Sequence, residues 1–469
     1  MDRVALTAGD IVAATGGRLT HGRAEWPIDG ISIDSRTVAA GDLFVAIRGE
    51  RFDGHRFVAE ALSRGARGAI VEASATGETA PPAHDAVLIV VDDTTRGLQL
   101  IARDVRRRAG SRVVAITGSA GKTTTKEVAA EFLSARYRVF RNKGNLNNHI
   151  GLPLSLLELR TRPDVAVVEL GMNHPGEIRT LVGIAEPEVR VWTNVGDAHA
   201  GFFPSIDAIA DAKAEILEQA RPDDVLIANA DDTRIASRAA TFSGRVVTFG
   251  IEQAADVRAT KVEERGLEGT AAQVRTPAGD VALQTPLLGL GNLSNVLAAV
   301  AVAVQFDVPL DEVAAKAAAL HPAHRRGELL RLPGGLTLVD DSYNSSPSAL
   351  KRALQTVKTA TGSARKIAVL GEMLELGDHA TRLHQECGTV AAAVGLDLLI
   401  TVGGAAARAL AEAAVAGGMP SSSVTWVATS VEAAALAAER TRAGDLVLVK
   451  GSRGIGTDAV VDRLKAEFA

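Results

Sequence analysis

Short apolar runs alternate along this chain with longer stretches whose apolar positions recur at helical spacing. Residues 43–47, 69–71, 112–116, 165–170, 189–193 and 224–228 read as strands, as do 336–340, 366–370, 398–402 and 445–449. Residues 57–62, 98–108 and 205–219 read as helices, and Asp92-Asp93-Thr94-Thr95 reads as the cap that opens the second of them. A further helical pattern starts near Thr125. Continuous apolar strands separated by helices predict parallel sheets covered on both faces. Residues 246–288 carry shorter strands and Gly turns, which predict a small antiparallel edge. The Gly-Glu-Thr-Ala-Pro-Pro stretch at 77–82 predicts a loop, and the Ala-rich helices at 404–417 and 431–440 predict nothing beyond packing. The pattern divides into three α/β regions, 1–93, 94–320 and 321–469. The first is a smaller N-terminal α/β domain, the second a mostly parallel central sheet with helices on both faces, and the third a Rossmann-like α/β domain.

Composition narrows the class. At 469 residues the chain exceeds what one core accommodates. A hydrophobic content of 46% with 23% charged residues is that of a folded protein rather than a disordered one. A net charge of −5 offers no broad basic field, so no nucleic-acid partner is expected. The only cysteine is Cys387, which excludes a disulfide framework or a Cys-based metal site and fits a reducing compartment. The start, Met1-Asp2-Arg3-Val4-Ala5-Leu6, lacks a basic-then-apolar signal pattern. No uncharged apolar run approaches the roughly 18 residues of a membrane span. A cytoplasmic enzyme is the expectation.

The chemistry concentrates at strand ends. Thr117-Gly118-Ser119-Ala120-Gly121-Lys122-Thr123-Thr124 follows one apolar run and precedes a helix. Such a P-loop cradles polyphosphate: backbone N–H groups and the helix N-terminus hold the oxygens, Lys122 adds a charge, and the Thr123 hydroxyl can ligate Mg²⁺. The outer Gly of the common pattern falls at Ile116, so the ordinary kinase or ATPase form does not quite fit. Glu169 ends another apolar run, where a carboxylate can hold Mg²⁺ or form a structural ion pair. His199 follows a third, and its position admits a structural or a ligand role. In the helix at 205–219, Ile206, Ile209, Ile216 and Leu217 form one stripe with Lys213 in its middle. Burial depresses a lysine pKa, and the neutral amine can take up CO₂ as a carbamate. Helix geometry alone favours the plainer alternative, a lysine running along the helix to water. In the third region Asp340-Asp341-Ser342-Tyr343-Asn344 and Lys450-Gly451-Ser452-Arg453-Gly454 each follow a strand, and together with the P-loop they predict ATP in a cleft between domains.

These motifs resemble the Mur ligases, ATP-dependent amide-forming enzymes of peptidoglycan precursor synthesis. The P-loop has their form, including the missing outer Gly. The resemblance also rests on Asp34-Ser35-Arg36, Gly41-Asp42-Leu43-Phe44, Asp53-Gly54-His55, Gly144-Asn145-Leu146-Asn147-Asn148, Ile150-Gly151-Leu152-Pro153 and Glu169-Leu170-Gly171-Met172-Asn173. Gly371-Glu372-Met373-Leu374-Glu375-Leu376-Gly377 is the stretch of the members that add D-Ala-D-Ala to UDP-MurNAc-tripeptide. Members that add one diamino acid usually carry Asp-Asn-Pro-Arg near the end, which is absent here. Folylpolyglutamate synthetases share the loop but not the N-terminal UDP-pocket-like domain. Intact Lys122, Glu169, His199 and Lys213 argue against a non-catalytic regulator.

By this resemblance Gly118, Ser119, Ala120, Gly121, Lys122, Thr123 and Thr124 hold the ATP phosphates, Asn292 and Asn295 match the Asn-x-x-Asn whose second Asn lies by the adenine, and Arg326, Asp341 and Lys450 complete the nucleotide site. Thr123, Glu169, His199 and a carbamylated Lys213 are the implied metal set, with Lys122, Lys213, His199 and Glu169 the catalytic residues; this reverses the plainer reading of Lys213. Ser35, Arg36, Asp53 and His55 are implied for the UDP-sugar pocket. Asn145, Asn147 and Asn148 are implied for the muramoyl-peptide end, and Tyr343 and Asn344 for substrate. A monomer is expected. The family often has His before the first Asn of Asn-x-x-Asn; here Gly291 stands there.

Overall fold

The buried strands form where the apolar runs predicted them. In a computed structural model, which describes residues 3–49, 52–75 and 85–469, the chain divides into two units. The loop predicted at 77–82 lies outside the described residues.

One unit comprises Met1–Ala115, Tyr137–Met172 and Gly176–Glu188. Its five-stranded sheet runs in the order Arg18–His21, Val87–Val91, Gly68–Glu72, Asp42–Val45 and Gly30–Ser32. The first pair is antiparallel and the others parallel. Phe44, Ala46, Val58, Ala61, Ala69 and Val71 pack one core against this sheet. The helix predicted at 98–108 spans Thr94–Ala109. It starts earlier because the Asp93 carboxylate accepts from Arg96 N, and it ends where Gly110 turns left-handed at φ +72. The strands Val139–Arg141 and Val165–Glu169 pair in parallel, with the first part of Arg112–Thr117 as their neighbour.

The other unit comprises Ile116–Arg136, Asn173–Pro175 and Val189–Ala469. The end of Arg112–Thr117 leads here into parallel strands Val189–Trp192, Val225–Asn229 and Arg245–Gly250. Val257–Glu264, Thr270–Thr276 and Gly279–Thr285 extend the sheet, and their mutual pairing is the predicted antiparallel edge. A six-stranded sheet follows, in the order Glu328–Arg331, Thr337–Asp341, Leu446–Lys450, Lys366–Gly371, Leu398–Val402 and Val424–Val427. Only its first pair is antiparallel. Leu338, Val369, Ile400, Val447 and Val449 carry its core. A parallel sheet gathers its chemistry at the carboxyl ends of the strands, and Asp341 and Lys450 stand at two adjacent ones.

Two further helix boundaries differ from the sequence expectation. The helix expected from Thr125 spans Lys122–Leu133, because Gly121 at φ +80 turns the chain and Lys122 is already helical. The helix expected over 205–219 ends at Ala214 and gives way to a 3₁₀ turn, Glu215–Leu217. The buried guanidinium of Arg190 explains the end. It donates to the carbonyls of Ile216 (3.1 Å), Glu218 (2.7 Å) and Gln219 (3.4 Å), so these oxygens point at Arg190 rather than up the helix. Asp224 balances its charge at 3.0 Å, the two side chains being 1% and 3% exposed. Removing one partner of such a buried pair strands the other charge. Arg190→Ala should therefore cost about 3–5 kcal/mol in chemical denaturation; a loss within 0.5 kcal/mol of zero, roughly the surface-substitution range, would contradict this.

Candidate active site

The phosphate loop is held in shape by the strand-end segment beside it. Ser119 N donates to Asn194 O at 3.0 Å, and Thr193 N to Thr117 O at 3.0 Å. Ser119 Oγ donates to Gly196 O at 3.1 Å and accepts from Gly196 N at 2.8 Å. The Asn194 side chain accepts from Ala120 N and donates to Ala120 O, each at 2.9 Å. Thr193 Oγ1 donates to the same carbonyl at 2.9 Å. Lys122 Nζ reaches back to Gly118 O at 2.9 Å, which sets its charge at the mouth of the loop. Gly121 is left-handed, and a Cβ there would lie 2.1 Å from Asn295 Oδ1. Asn295 also donates to Asn292 Oδ1 at 3.2 Å, so the two residues of Asn-x-x-Asn, on the helix Gly289–Gln305, are linked, with Asn295 against the loop. Thr193, Asn194 and Ser119's partner Gly196 are braces that the sequence reading did not single out. Their one signal was their place in the stretch that ends at His199.

Lys213 is 1% exposed on the helix Ile206–Ala214, so it does not run out to water. Burial, and then the nearby charge of Lys122, push its pKa well below the ordinary lysine range. A neutral buried amine is the form that reacts with CO₂. His199 is left-handed at φ +65, and its Nδ1 lies 2.7 Å from Glu375 Oε2, close enough for an ion pair but out of line for a hydrogen bond. His199 beside it holds the Glu375 carboxyl below its usual range. Glu375 is delivered by the segment 371–377, whose backbone meets the His199 loop directly. Gly201 N donates to Glu375 O at 2.9 Å, and a Cβ on Gly201 would lie 2.6 Å from Gly377 N. Glu375 itself was quoted in sequence only as part of a motif; its approach to His199 depends on this glycine–glycine contact.

At the strand ends of the third region Lys450 Nζ donates to Asp341 Oδ2 at 2.7 Å and to Asn344 O at 3.0 Å. Arg326 places its guanidinium 4.1 Å from the centre of the Tyr343 ring. Its neighbour Arg325 is instead paired with Asp458 at 2.6 Å, so Arg326 is the better placed of the two to reach a ligand. Asp340, by contrast, is fully buried and accepts from Ser342 N and Oγ, a loop-holding role.

The remaining predicted residues lie in the other unit. Glu169 is buried; Asn147 Nδ2 donates to its carboxylate at 2.8 Å, and the Asn142 side chain accepts from its N–H at 3.0 Å. Asn142, 1% exposed, was missed in the sequence and ties this strand end to the loop through Leu146 O. Asn148 accepts from Ile150 N and Gly151 N and so opens the helix Gly151–Leu157, while Asn145 is exposed. His55 is buried with both ring nitrogens engaged, Nδ1 by Asp53 (2.6 Å) and Nε2 by Glu72 N (2.9 Å), so these two residues hold the loop itself. Ser35 donates to Glu60, and Arg36 is largely exposed while paired with Asp34 at 2.7 Å.

Among the described residues no three His, Cys, Asp or Glu side chains are grouped as a metal site. The expected set is of another kind, with a threonine hydroxyl, one carboxylate, one imidazole and a lysine that must first be modified. That donor chemistry fits Mg²⁺, which binds through few protein oxygens and leaves places for phosphate and water.

The family description "Mur ligase family, catalytic domain" matches residues 27–106, "Mur ligase middle domain" 116–303 and "Mur ligase, glutamate ligase domain" 325–453. The chain belongs to the Mur ligase family and has its three-domain α/β fold of mostly parallel sheets with helices on both faces. It is 35% identical over 437 residues to the UDP-N-acetylmuramoyl-tripeptide--D-alanyl-D-alanine ligase of Bacillus subtilis, covering 93% of each chain. Among solved structures, MurF from Acinetobacter baumannii superposes with a TM-score of 0.89 at 32% identity, covering 99% of this chain and 100% of that one. MurF from Thermotoga maritima in complex with ADP gives a TM-score of 0.82 at 28% identity, covering 93% and 97%.

The segment that carries Glu375 rests on a residue unseen in the sequence. The buried His384 donates from Nδ1 to Ala380 O at 2.7 Å and accepts at Nε2 from Met373 N at 2.9 Å. It must be neutral to do both, and burial lowers its pKa from 6.5. The unfolded chain then binds the proton more tightly, so stability present above about pH 6.5 is lost as pH falls toward the folded pKa. Between about pH 7.5 and about pH 5.5 the melting temperature should fall further for the native protein than for His384→Gln. Parallel pH profiles would show that His384 does not titrate in this way.

Proposed function

We propose that this protein is an ATP-dependent ligase that joins D-alanyl-D-alanine to UDP-N-acetylmuramoyl-tripeptide, giving the UDP-MurNAc-pentapeptide of peptidoglycan synthesis. The observation that carries this reading is similarity along 93% of both chains to a ligase of that name. The braced phosphate loop with Lys122, and the Asp341–Lys450 pair in the same unit, supply the nucleotide half of the site.

The terminal carboxylate of the tripeptide attacks the γ-phosphorus of ATP, and ADP leaves. Lys122 offsets charge on the transferring group. The acyl phosphate is then attacked at its carbonyl carbon by the free amine of D-Ala-D-Ala. The tetrahedral intermediate expels phosphate, and the amine loses its proton as the amide forms. Water must be kept from the acyl phosphate, and closure of the third domain on the nucleotide serves that end. Thr123, Glu169, His199 and a carbamate on Lys213 would hold Mg²⁺, which when bound neutralises phosphate charge. Carbamylation converts the buried amine and CO₂ into an anion with loss of one proton, turning an uncompensated buried base into a ligand. Asn292 and Asn295 bind the nucleotide with Asn295 by the adenine, Asp341 lies on the ribose side, and Arg326 reaches the nucleotide from the third domain. Ser35, Arg36, Asp53 and His55 belong to the UDP-sugar pocket. Asn145 and Asn147 face the muramoyl-peptide, and Tyr343 and Asn344 the incoming dipeptide. The enzyme acts as a cytoplasmic monomer on precursors needed for cell shape and division.

Phosphate release should require ATP, UDP-MurNAc-tripeptide and D-Ala-D-Ala together. Release with diaminopimelate and the dipeptide precursor, and none with D-Ala-D-Ala, would replace this reading with that of the diamino-acid-adding members. Lys213→Ala should lower turnover by about 100-fold or more, the scale of one lost transition-state charge contact, with an unchanged circular dichroism spectrum. Bicarbonate should restore activity to CO₂-depleted native enzyme and leave the variant unaffected; a folded variant with native turnover would remove Lys213 from the mechanism.

A further inference from the structure

We propose that Arg352 is a nucleotide-positioning residue that lays its guanidinium against the purine of ATP, in the space left open by Gly291. The inference rests on the reading above, in which Asn292, Asn295 and Asp341 face the nucleoside.

Position 291 immediately precedes Asn292, near the start of the helix Gly289–Gln305. Asn295, one turn on, is packed against Gly121 of the phosphate loop. Residue 291 therefore stands at the nucleoside end of the same helix. Its backbone does not need glycine, since its φ is not positive. The neighbour needs it: a Cβ on Gly291 would lie 2.9 Å from Arg352 Cδ and 3.1 Å from Nε, with Cζ at 4.0 Å. The guanidinium thus lies along the helix surface where a side chain of residue 291 would project.

Arg352 comes from the helix Pro347–Thr359, which begins just after the Asp341–Asn344 strand end. Its guanidinium makes no hydrogen bond or ion pair with a described residue, while Asp341, the acid that attracts it, is taken by Lys450. Its surface is exposed, yet surrounding protein lowers its pKa, with Asp341 opposing that shift. The exposed surface decides its state, a cation. Leu290, the residue before Gly291, is 40% exposed. A planar cation beside apolar surface is suited to the face of a purine, which it holds by stacking without reading the base edge.

Calorimetry on the full-length protein tests this, with ADP and inorganic tripolyphosphate as separate probes in the presence of Mg²⁺. Arg352→Ala should weaken ADP about tenfold, the range of a cation–π contact, and leave tripolyphosphate unchanged. A merely structural role would weaken both alike. Gly291→His alone should also weaken ADP by crowding Arg352. The double variant Gly291→His, Arg352→Ala should bind ADP within about threefold of the native protein, because one planar side chain replaces the other. The proposal is overturned if Arg352→Ala binds ADP as tightly as the native protein, or loses both probes equally. Lys122→Ala separates the two levels of inference by losing both probes. If it retains both, the nucleotide site itself is misplaced and Arg352 falls with it.

Discussion

The site depends on how the phosphate loop is held in shape. Gly121 is left-handed, and the backbone at Ser119 and Ala120 is fixed by the strand-end segment beside it. Ser119 and Gly196 exchange two hydrogen bonds, and Asn194 takes both the amide and the carbonyl of Ala120. Asn295 closes the other side of Gly121. The loop is thus clamped between a strand end and a helix, which fixes its shape.

The third region packs against this clamp. The helix Pro347–Thr359 places Ser348 Oγ 3.0 Å from where a Cβ of Gly196 would be, and Arg352 over Gly291. One helix therefore touches both the segment that braces the loop, at Gly196, and the helix Gly289–Gln305, at Gly291. The segment 371–377 adds a second point of attachment through Gly201, Gly377 and the Glu375–His199 pair. Positive charge is distributed around this frame in different states. Lys122 and Lys450 are oriented by oxygen partners, Arg326 is stacked on Tyr343, and Lys213 is driven toward neutrality by burial.

Much of this was legible in the sequence because it is local. The strands show as apolar runs, the phosphate loop as a strand–Gly-Lys-Thr–helix pattern, and Lys213 as a polar residue inside an apolar stripe. Helix geometry alone preferred the solvent for Lys213, because a single-helix argument has no knowledge of what packs against the stripe. The boundary at Ala214 was not legible, since it is set by the Arg190 guanidinium arriving from a different strand. Glu375 facing His199 and Arg352 covering Gly291 were also invisible. Each needs residues far apart in the chain, and the only local trace is a glycine whose purpose appears once its neighbour is known. His55 shows the reverse case, a motif histidine whose ring nitrogens are spent on Asp53 beside it and on the N–H of Glu72 at a strand end.

The central claim is that the tripeptide carboxylate, not water or the amine, accepts the γ-phosphoryl group. Labelling both oxygens of that carboxylate with ¹⁸O tests it most directly. Mass spectrometry of the released phosphate should then find one ¹⁸O per phosphate for each amide formed, because the acyl-phosphate bridging oxygen leaves with phosphorus. Unlabelled phosphate released in step with amide formation would contradict the account.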